Sequence, residues 1–265
     1  MESKRKLKTI ISIIATVLLG HFLVIGLSSL FSDQLTALIP NAIYRDLAYE
    51  AAWAVIVMVC ILIFKKMGIF KISLAQMGEG ILTALPLLVL YANFIPLGFF
   101  LNRGSKLVSA PEIIAFLLQC LLIGLVEEGL YRGVIQELFM NLWEGSERKR
   151  ALLSILSTAL MFGSFHLFNL RKNGISVPAV MIQAVSAIAM GMLLGAIFYR
   201  SGRKIWPVLI LHALIDCAGF ITSGVLHGKT QVDAVSSLDP RSLIMIPICI
   251  GFALFLMRKR KDVNI

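Results

Sequence analysis

The chain has 265 residues, of which 58% are hydrophobic and only 15% are charged, and its mean hydropathy is +0.87. A soluble domain carries roughly 25% charged residues, so this composition excludes an ordinary water-soluble globular domain. The chain has 25 Lys and Arg against 15 Asp and Glu, a formal charge of +10, but its basic residues form short clusters between long apolar runs. That distribution is typical of membrane flanks and not of a nucleic-acid-binding face.

Eight apolar segments approach the roughly 20 residues that a membrane-spanning helix needs. We predict these helices over residues 7–31, 47–64, 80–101, 112–141, 151–170, 176–199, 205–226 and 242–257. The predicted fold class is therefore an all-α polytopic membrane bundle that forms a single membrane domain over residues 1–265. The first segment is too long for the apolar core of a signal peptide and no clear cleavage site follows it, so we interpret it as a retained first span.

The distribution of basic residues predicts the orientation of this bundle. If all eight segments span, 17 Lys and Arg fall on the side of the two termini and 7 fall on the opposite side. Basic loops favour the cytoplasmic face, so both termini are predicted to be cytoplasmic. We expect an integral protein of the bacterial plasma membrane whose partners are membrane lipid and a peptide or membrane-protein substrate, with no nucleic acid.

Small residues inside the spans are interpreted as packing residues. Four cysteines lie in apolar runs and none forms a C-x-x-C pair: Cys60, Cys120, Cys217 and Cys249. A disulfide framework or a thiolate metal site therefore has little support, and burial in helix contacts is expected instead. Ala187, Gly191 and Gly195 follow one another at intervals of four, which favours close helix packing.

Ionisable side chains inside a span are costly in hydrocarbon and mark functional candidates. The fourth span contains Glu127, Glu128 and Arg132. Glu128 and Arg132 are four residues apart and can pair on one helix face, whereas Glu127 points about 100° away. Because two acids face one base, Glu127 is available as a general base. An ion pair that only sets the register of the helix is the structural alternative.

Two further polar groups lie in later spans. His166 follows Phe162 at the end of the fifth span, and His212 and Asp216 are four residues apart in the seventh. Each group alone is compatible with a purely structural role. Together with the acids they would bring carboxylates and imidazoles from three helices to one place, where they could activate water, stabilise an oxyanion or bind a metal. His21 stands alone in the first span and is interpreted as an ordinary packed or interface histidine.

The three groups together resemble a known family. The pattern E-E-x-x-x-R, then F-x-x-x-H, then H-x-x-x-N/D, each on its own transmembrane helix, is similar to that of the CPBP family, the CAAX protease and bacteriocin-processing intramembrane proteases, also called Abi proteins. This sequence has Glu127-Glu128…Arg132, Phe162…His166 and His212…Asp216. The resemblance covers about residues 112–226, the expected catalytic core, whereas the first three spans and the last match only as generic membrane helices.

The resemblance implies an intramembrane endopeptidase that hydrolyses a peptide bond of a membrane-associated peptide or protein. It implies that Glu127 activates the attacking water, that His166 shares this water, and that Arg132 orients Glu128. His212 and Asp216 would polarise the peptide oxygen. The eukaryotic CAAX endopeptidases have Asn at the last position. An ionised Asp only accepts hydrogen bonds, so Asp216 must be protonated, orient His212 or ligate a cation.

The sequence leaves the metal question open. The H-E-x-x-H pattern is absent, which excludes the ordinary zincin arrangement. Glu127, His166, His212 and Asp216 nevertheless offer oxygen and nitrogen ligands that zinc accepts. The family is often described as metalloproteases, but a metal-free, glutamate-activated water suits the same residues, and we favour it.

Two other classes of function compete with a protease. A proton relay or transporter would also carry acids and histidines in its spans, but the ionisable groups lie in spans four to seven and have no counterpart in the first three. This asymmetry argues against the inverted repeats of many transporters. A catalytically idle bacteriocin-immunity or scaffold protein would bind a peptide without needing two acids inside hydrocarbon.

Overall fold

The computed structural model describes residues 2–19, 30–171, 176–228 and 240–258, and these are helical except for short turns. The α-helices are α1 (Glu2–Val17), α2 (Ser32–Leu38), α3 (Ala42–Ile63), α4 (Leu74–Leu101), α5 (Ala110–Glu128), α6 (Glu137–Leu142), α7 (Glu147–Phe165), α8 (Val177–Arg200), α9 (Trp206–Ile221) and α10 (Pro240–Met257). Two segments are π-helical, π1 (Gly129–Gln136) and π2 (Thr222–Leu226), and two are 3-10 helices, Met67–Phe70 and His166–Arg171. No strand occurs in these ranges, so the all-α prediction is confirmed.

Within the described residues, six helices are long and apolar enough to cross a membrane. They are Ala42–Ile63, Leu74–Leu101, Ala110–Leu142, Glu147–Leu170, Val177–Arg200 and Trp206–Leu226. They correspond to the second to seventh predicted segments and confirm a polytopic membrane protein. The eighth segment is represented by the shorter apolar helix Leu243–Met257. The first is described only as far as residue 19, so His21 lies outside the described residues. The orientation of the termini stays a prediction.

Local sequence signals begin these helices where the structure places them. The Asn41 side chain accepts hydrogen bonds from the backbone N–H groups of Ile43 and Tyr44 at the start of α3. Ser73 and Gln76 form a capping box at the start of α4. Each arrangement satisfies N–H groups that a helix leaves without an intrahelical partner, which fixes where the span begins.

Helices α5 and α9, which carry two of the three motifs, form the interior of the bundle together with α8, whereas α7, which carries the third motif, is 39% buried in its most apolar window. In the most apolar windows of α5, α8 and α9, 56%, 56% and 50% of the residues are buried, whereas only 22% and 17% are buried in α3 and α4. Large apolar side chains of the outer helices are exposed, as expected for surfaces that face lipid acyl chains.

Helices α5 and α9 cross closely and run antiparallel. A Cβ atom added at Gly124 would lie 2.9 Å from the carbonyl oxygen of Leu209 and 3.4 Å from the backbone nitrogen of Ala213. Two turns earlier in α5, the Phe116 ring lies against Gly224, which follows α9. This register brings the C-terminal end of α5 to the middle of α9.

The small-residue positions lie in helix contacts, as interpreted from the sequence. Ala187, Gly191 and Gly195 are buried on α8. A Cβ atom at Gly191 would lie 3.1 Å from Ala159 of α7. The four cysteines are free thiols, of which Cys60, Cys120 and Cys249 are buried and Cys217 is partly buried.

Candidate active site

Glu128 and Arg132 form a fully buried ion pair at the junction of α5 and π1. The Arg132 NH1 atom lies 2.9 Å from Glu128 Oε1, and both side chains are 0% exposed. Arg132 also donates through NH2 to the carbonyl oxygen of Gly191 on α8, over 3.2 Å, and its guanidinium lies 5.1 Å from the centroid of the Phe162 ring. The buried charge is therefore compensated by a carboxylate and a carbonyl on two neighbouring helices.

His212 joins the same carboxylate from the opposite helix. Its Nδ1 atom lies 2.6 Å from Glu128 Oε1, and the ring is almost completely buried. The close crossing at Gly124 makes this contact reachable, because it removes side-chain bulk between α5 and α9. Glu128 thus holds both Arg132 and His212, which fixes the orientation of the imidazole. The sequence predicted the pair with Arg132 but not this contact.

The other nitrogen of His212 faces the two remaining acids. Its Nε2 atom lies 3.4 Å from Glu127 Oε2 and 3.8 Å from Asp216 Oδ2. The Glu127 side chain is 26% exposed, whereas the neighbouring Glu128 side chain is 0% exposed. The two adjacent glutamates therefore occupy different environments: one is enclosed by its partners, and the other is accessible beside the imidazole.

His166 is connected to His212 by the Phe162 ring, which contacts both imidazoles. It begins the 3-10 segment after α7, and its Nδ1 atom lies 3.1 Å from the carbonyl oxygen of Phe162. The Phe162 ring contacts both imidazoles, with centroid separations of 5.1 Å to His166 and 6.4 Å to His212. Within the described residues no hydrogen bond or ion pair joins His166 to the carboxylates. Direct polar contacts thus connect Glu127, Glu128, Arg132, His212 and Asp216, and His166 lies beside them across Phe162.

The four candidate metal ligands are not gathered into one metal-binding group in the described residues. The sequence left open a site made of Glu127, His166, His212 and Asp216. In the described ranges, no group of three or more His, Cys, Asp or Glu side chains is arranged to hold a metal ion. Nδ1 of His212 is hydrogen-bonded to Glu128 and Nδ1 of His166 to a backbone carbonyl, so Nε2 is the nitrogen of each ring that could bind a ligand.

The π-helical turn after Glu128 is a feature that the sequence analysis missed. In π1 the side chains of Arg132 and Gln136 both reach α8, where they donate to the carbonyl oxygens of Gly191 and Gly195 over 3.2 Å each. The two glycines thus serve as close-contact positions and as acceptors. Single π-turns are frequent at functional sites because they reorient side chains within a helix.

A further carboxyl group, Glu50 of α3, was also missed. It interacts electrostatically with Glu127 and Asp216, and its Oε2 atom is buried without a hydrogen-bond partner in the described part of the chain. The predicted second span began at residue 47, which placed Glu50 near an apparent membrane edge. The sequence nevertheless indicated that Glu50 faces the bundle. It lies seven residues, or about two helical turns, before Val57 and therefore shares the buried face of α3.

Comparison with known families agrees with the motifs. Residues 109–218 match the model of the family described as type II CAAX prenyl endopeptidase Rce1-like. The matched segment runs from the start of α5 into α9 and contains all six predicted site residues as well as Phe162. This match bears out the predicted resemblance to the CAAX protease family. A comparison with curated proteins finds no match.

Proposed function

Because residues 109–218 match the model of a CAAX prenyl endopeptidase family, we propose that the protein is an intramembrane endopeptidase in which Glu127 activates the attacking water. The observation that carries this proposal is the division of the two adjacent glutamates. Glu128 is enclosed by Arg132 and His212, whereas Glu127 is partly exposed and lies 3.4 Å from His212 Nε2. A general base must be able to reach the water from which it removes a proton.

In the proposed reaction, Glu127 takes a proton from water while the water oxygen attacks the carbonyl carbon of the scissile peptide bond. The resulting tetrahedral intermediate carries a negative oxygen. Glu127 then passes the proton to the peptide nitrogen, the C–N bond breaks, and the amine leaves. The same carboxyl group thus acts first as a base and then as an acid.

His212 stabilises the negative oxygen in this proposal. Its Nδ1–H group donates to Glu128, so its Nε2 atom faces Glu127 and the reacting groups. In the imidazolium form both nitrogens donate, and the Nε2–H group can bind the oxyanion. Glu128 supports this form because its carboxylate accepts the other N–H group. Arg132 keeps Glu128 in place through the 2.9 Å ion pair.

Asp216 and His166 have supporting roles. The Asp216 Oδ2 atom lies 3.8 Å from His212 Nε2, where it can orient the ring or favour its charged form. His166 has its Nδ1 atom beside the Phe162 carbonyl, which leaves Nε2 as the nitrogen that can bind the attacking water. Phe162 separates the two imidazoles and keeps their planes nearly perpendicular to its own.

The substrate that we propose is a peptide or protein segment held at the membrane. The family is described by its action on prenylated CAAX proteins, so a lipid-modified C-terminal segment is one form of such a substrate. The processing of an unmodified peptide linked to bacteriocin immunity is another. The basic flanks support cytoplasmic termini, and the location that we propose is the bacterial plasma membrane.

The experiment is a cleavage assay in proteoliposomes with fluorescence-quenched peptides that end in a CAAX-type sequence, with and without a farnesyl group. Glu127→Gln keeps the size of the side chain but removes its basicity, so cleavage should fall by about 10²-fold or more while the protein stays folded. Glu144→Gln is the matched control, because Glu144 is an exposed surface residue paired with Lys6. Normal cleavage by folded Glu127→Gln would refute the mechanism.

A further inference from the structure

The Glu50 side chain lies on the buried face of α3 that packs against α5. Val57 and Ile61 of this face contact Gly129, where an added Cβ atom would lie 3.0 and 3.2 Å from their side chains. At the other end of the two helices, Asn41 donates to Glu112 over 2.6 Å. Helices α3 and α5 are therefore parallel, and Glu50 lies on their common interface.

One carboxyl oxygen of Glu50 is buried without a hydrogen bond in the described part of the chain. Its Oε2 atom is buried and has no hydrogen-bond partner among the described residues, and its carboxyl group interacts electrostatically with Glu127 and Asp216. Asp216 is only 9% exposed, and its Oδ2 atom likewise lacks a hydrogen-bond partner there. A buried polar atom without a partner is costly, so an atom retained in this state beside reacting groups indicates a ligand.

A peptide substrate brings the donors that this acceptor lacks. Peptides commonly bind in an extended form whose backbone groups pair with the edge of a sheet. The described part of this chain has no strand, and the backbone carbonyls within its helices mostly accept intrahelical hydrogen bonds. A buried side-chain acceptor can therefore serve a backbone N–H group of a peptide that enters the bundle.

We propose that Glu50 is a substrate-binding residue whose Oε2 atom accepts a hydrogen bond from a backbone N–H group of the peptide next to the scissile bond. This role rests on the proposed endopeptidase function. It adds to the site a residue of α3, outside the segment that matches the family. Glu127 acts on the water, and Glu50 positions the peptide that the water attacks.

The experiment compares Glu50→Leu, Glu50→Gln and Asp46→Asn in proteoliposomes with the farnesylated quenched peptide. Leucine suits the apolar face of α3, so Glu50→Leu should fold, and its KM should rise roughly tenfold because one hydrogen bond to a charged group is lost. Its kcat should change much less. Glu50→Gln keeps an acceptor oxygen but loses the charge, so its KM should rise less than that of Glu50→Leu. Asp46→Asn, one turn away on the same helix, should leave KM unchanged.

A second measurement identifies the donor. N-methylation of the peptide, one amide at a time beside the scissile bond, should raise the KM of the wild type at one position and have no further effect there in Glu50→Leu. Binding of the same peptide to Glu127→Gln should weaken about tenfold when Glu50→Leu is added, independently of turnover.

Three results would overturn this role: a folded Glu50→Leu variant with unchanged KM and binding, a Glu50→Gln variant as impaired as Glu50→Leu, or equal methylation effects in wild type and Glu50→Leu. The same loss in Asp46→Asn would show a general effect of negative charge and would also overturn it. If the wild type neither cleaves nor binds the peptides, the proposed function fails, and this role fails with it.

Discussion

The Nδ1 atom of His212 lies 2.6 Å from the Oε1 atom of Glu128, across the antiparallel crossing of α9 and α5. The same oxygen accepts from Arg132, so one buried carboxylate connects two basic groups on different segments. This contact places Glu128 where it can position both basic groups, whereas the adjacent Glu127 faces the other nitrogen of the imidazole. Predictions about these residues therefore differ even though they are neighbours in the sequence.

Glu128→Gln should destabilise the protein by roughly 3 kcal/mol, because removal of one partner leaves Arg132 as an unpaired buried charge. The Glu128→Gln/Arg132→Gln double variant removes both charges and should lose less stability than the sum of the single variants. Thermal unfolding in detergent, followed by the monodisperse fraction on size exclusion, measures both. Glu144→Gln breaks an exposed pair and should cost less than about 1 kcal/mol. Additive losses in the double variant would contradict the buried pair.

Asp216→Asn tests how Asp216 acts on His212. The two side chains lie 3.8 Å apart without a hydrogen bond, so an amide of the same size can still support the imidazole and can donate to an oxyanion. Much of the cleavage activity should remain, and it should resist a strong chelator. Activity assays with and without the chelator and zinc per chain measured in both proteins check this. Stoichiometric zinc in the wild type, lost together with activity in the variant, would establish a metal mechanism instead.

Gly163→Ala should destabilise the contact between α7 and α8. The added Cβ atom would lie 2.6 Å from the carbonyl oxygen of Ala184 and 3.0 Å from the backbone nitrogen of Ile188, and backbone atoms cannot move aside cheaply. Overpacking of this kind costs about 1–3 kcal/mol. Gly78→Ala is the matched control inside α4, where nothing lies within 4 Å, and it should stabilise the helix slightly. Equal unfolding temperatures for the two variants would contradict the close packing.

Cys120 and Cys217 provide a test of the register between α5 and α9. Their thiols lie within hydrogen-bonding distance of each other across this interface. Oxidation by 4,4′-dithiodipyridine should therefore yield an intramolecular disulfide, with the loss of two hydrogens in intact mass and the release of two thiopyridones. Cys120→Ser should instead retain one pyridyl adduct on Cys217. A stable adduct in the wild type would place the two helices in a different register.

The sequence alone determined the membrane class, the boundaries of the middle six spans to within six residues, and the resemblance to a protease family. Long apolar runs have no stable place in water, and each charged residue inside such a run is exceptional enough to be recognised without coordinates. The pair of Glu128 and Arg132 was also predictable, since residues four apart on a helix share a face.

Only the tertiary structure decided how these residues are arranged around one another. The contact between Glu128 and His212 joins positions 84 residues apart and depends on the close crossing at Gly124. The electrostatic interaction of Glu50 with Glu127 likewise depends on which face of α3 packs against α5. Periodicity shows which residues share a face of one helix, but the angle, register and separation of two helices follow from the packing of all their side chains together.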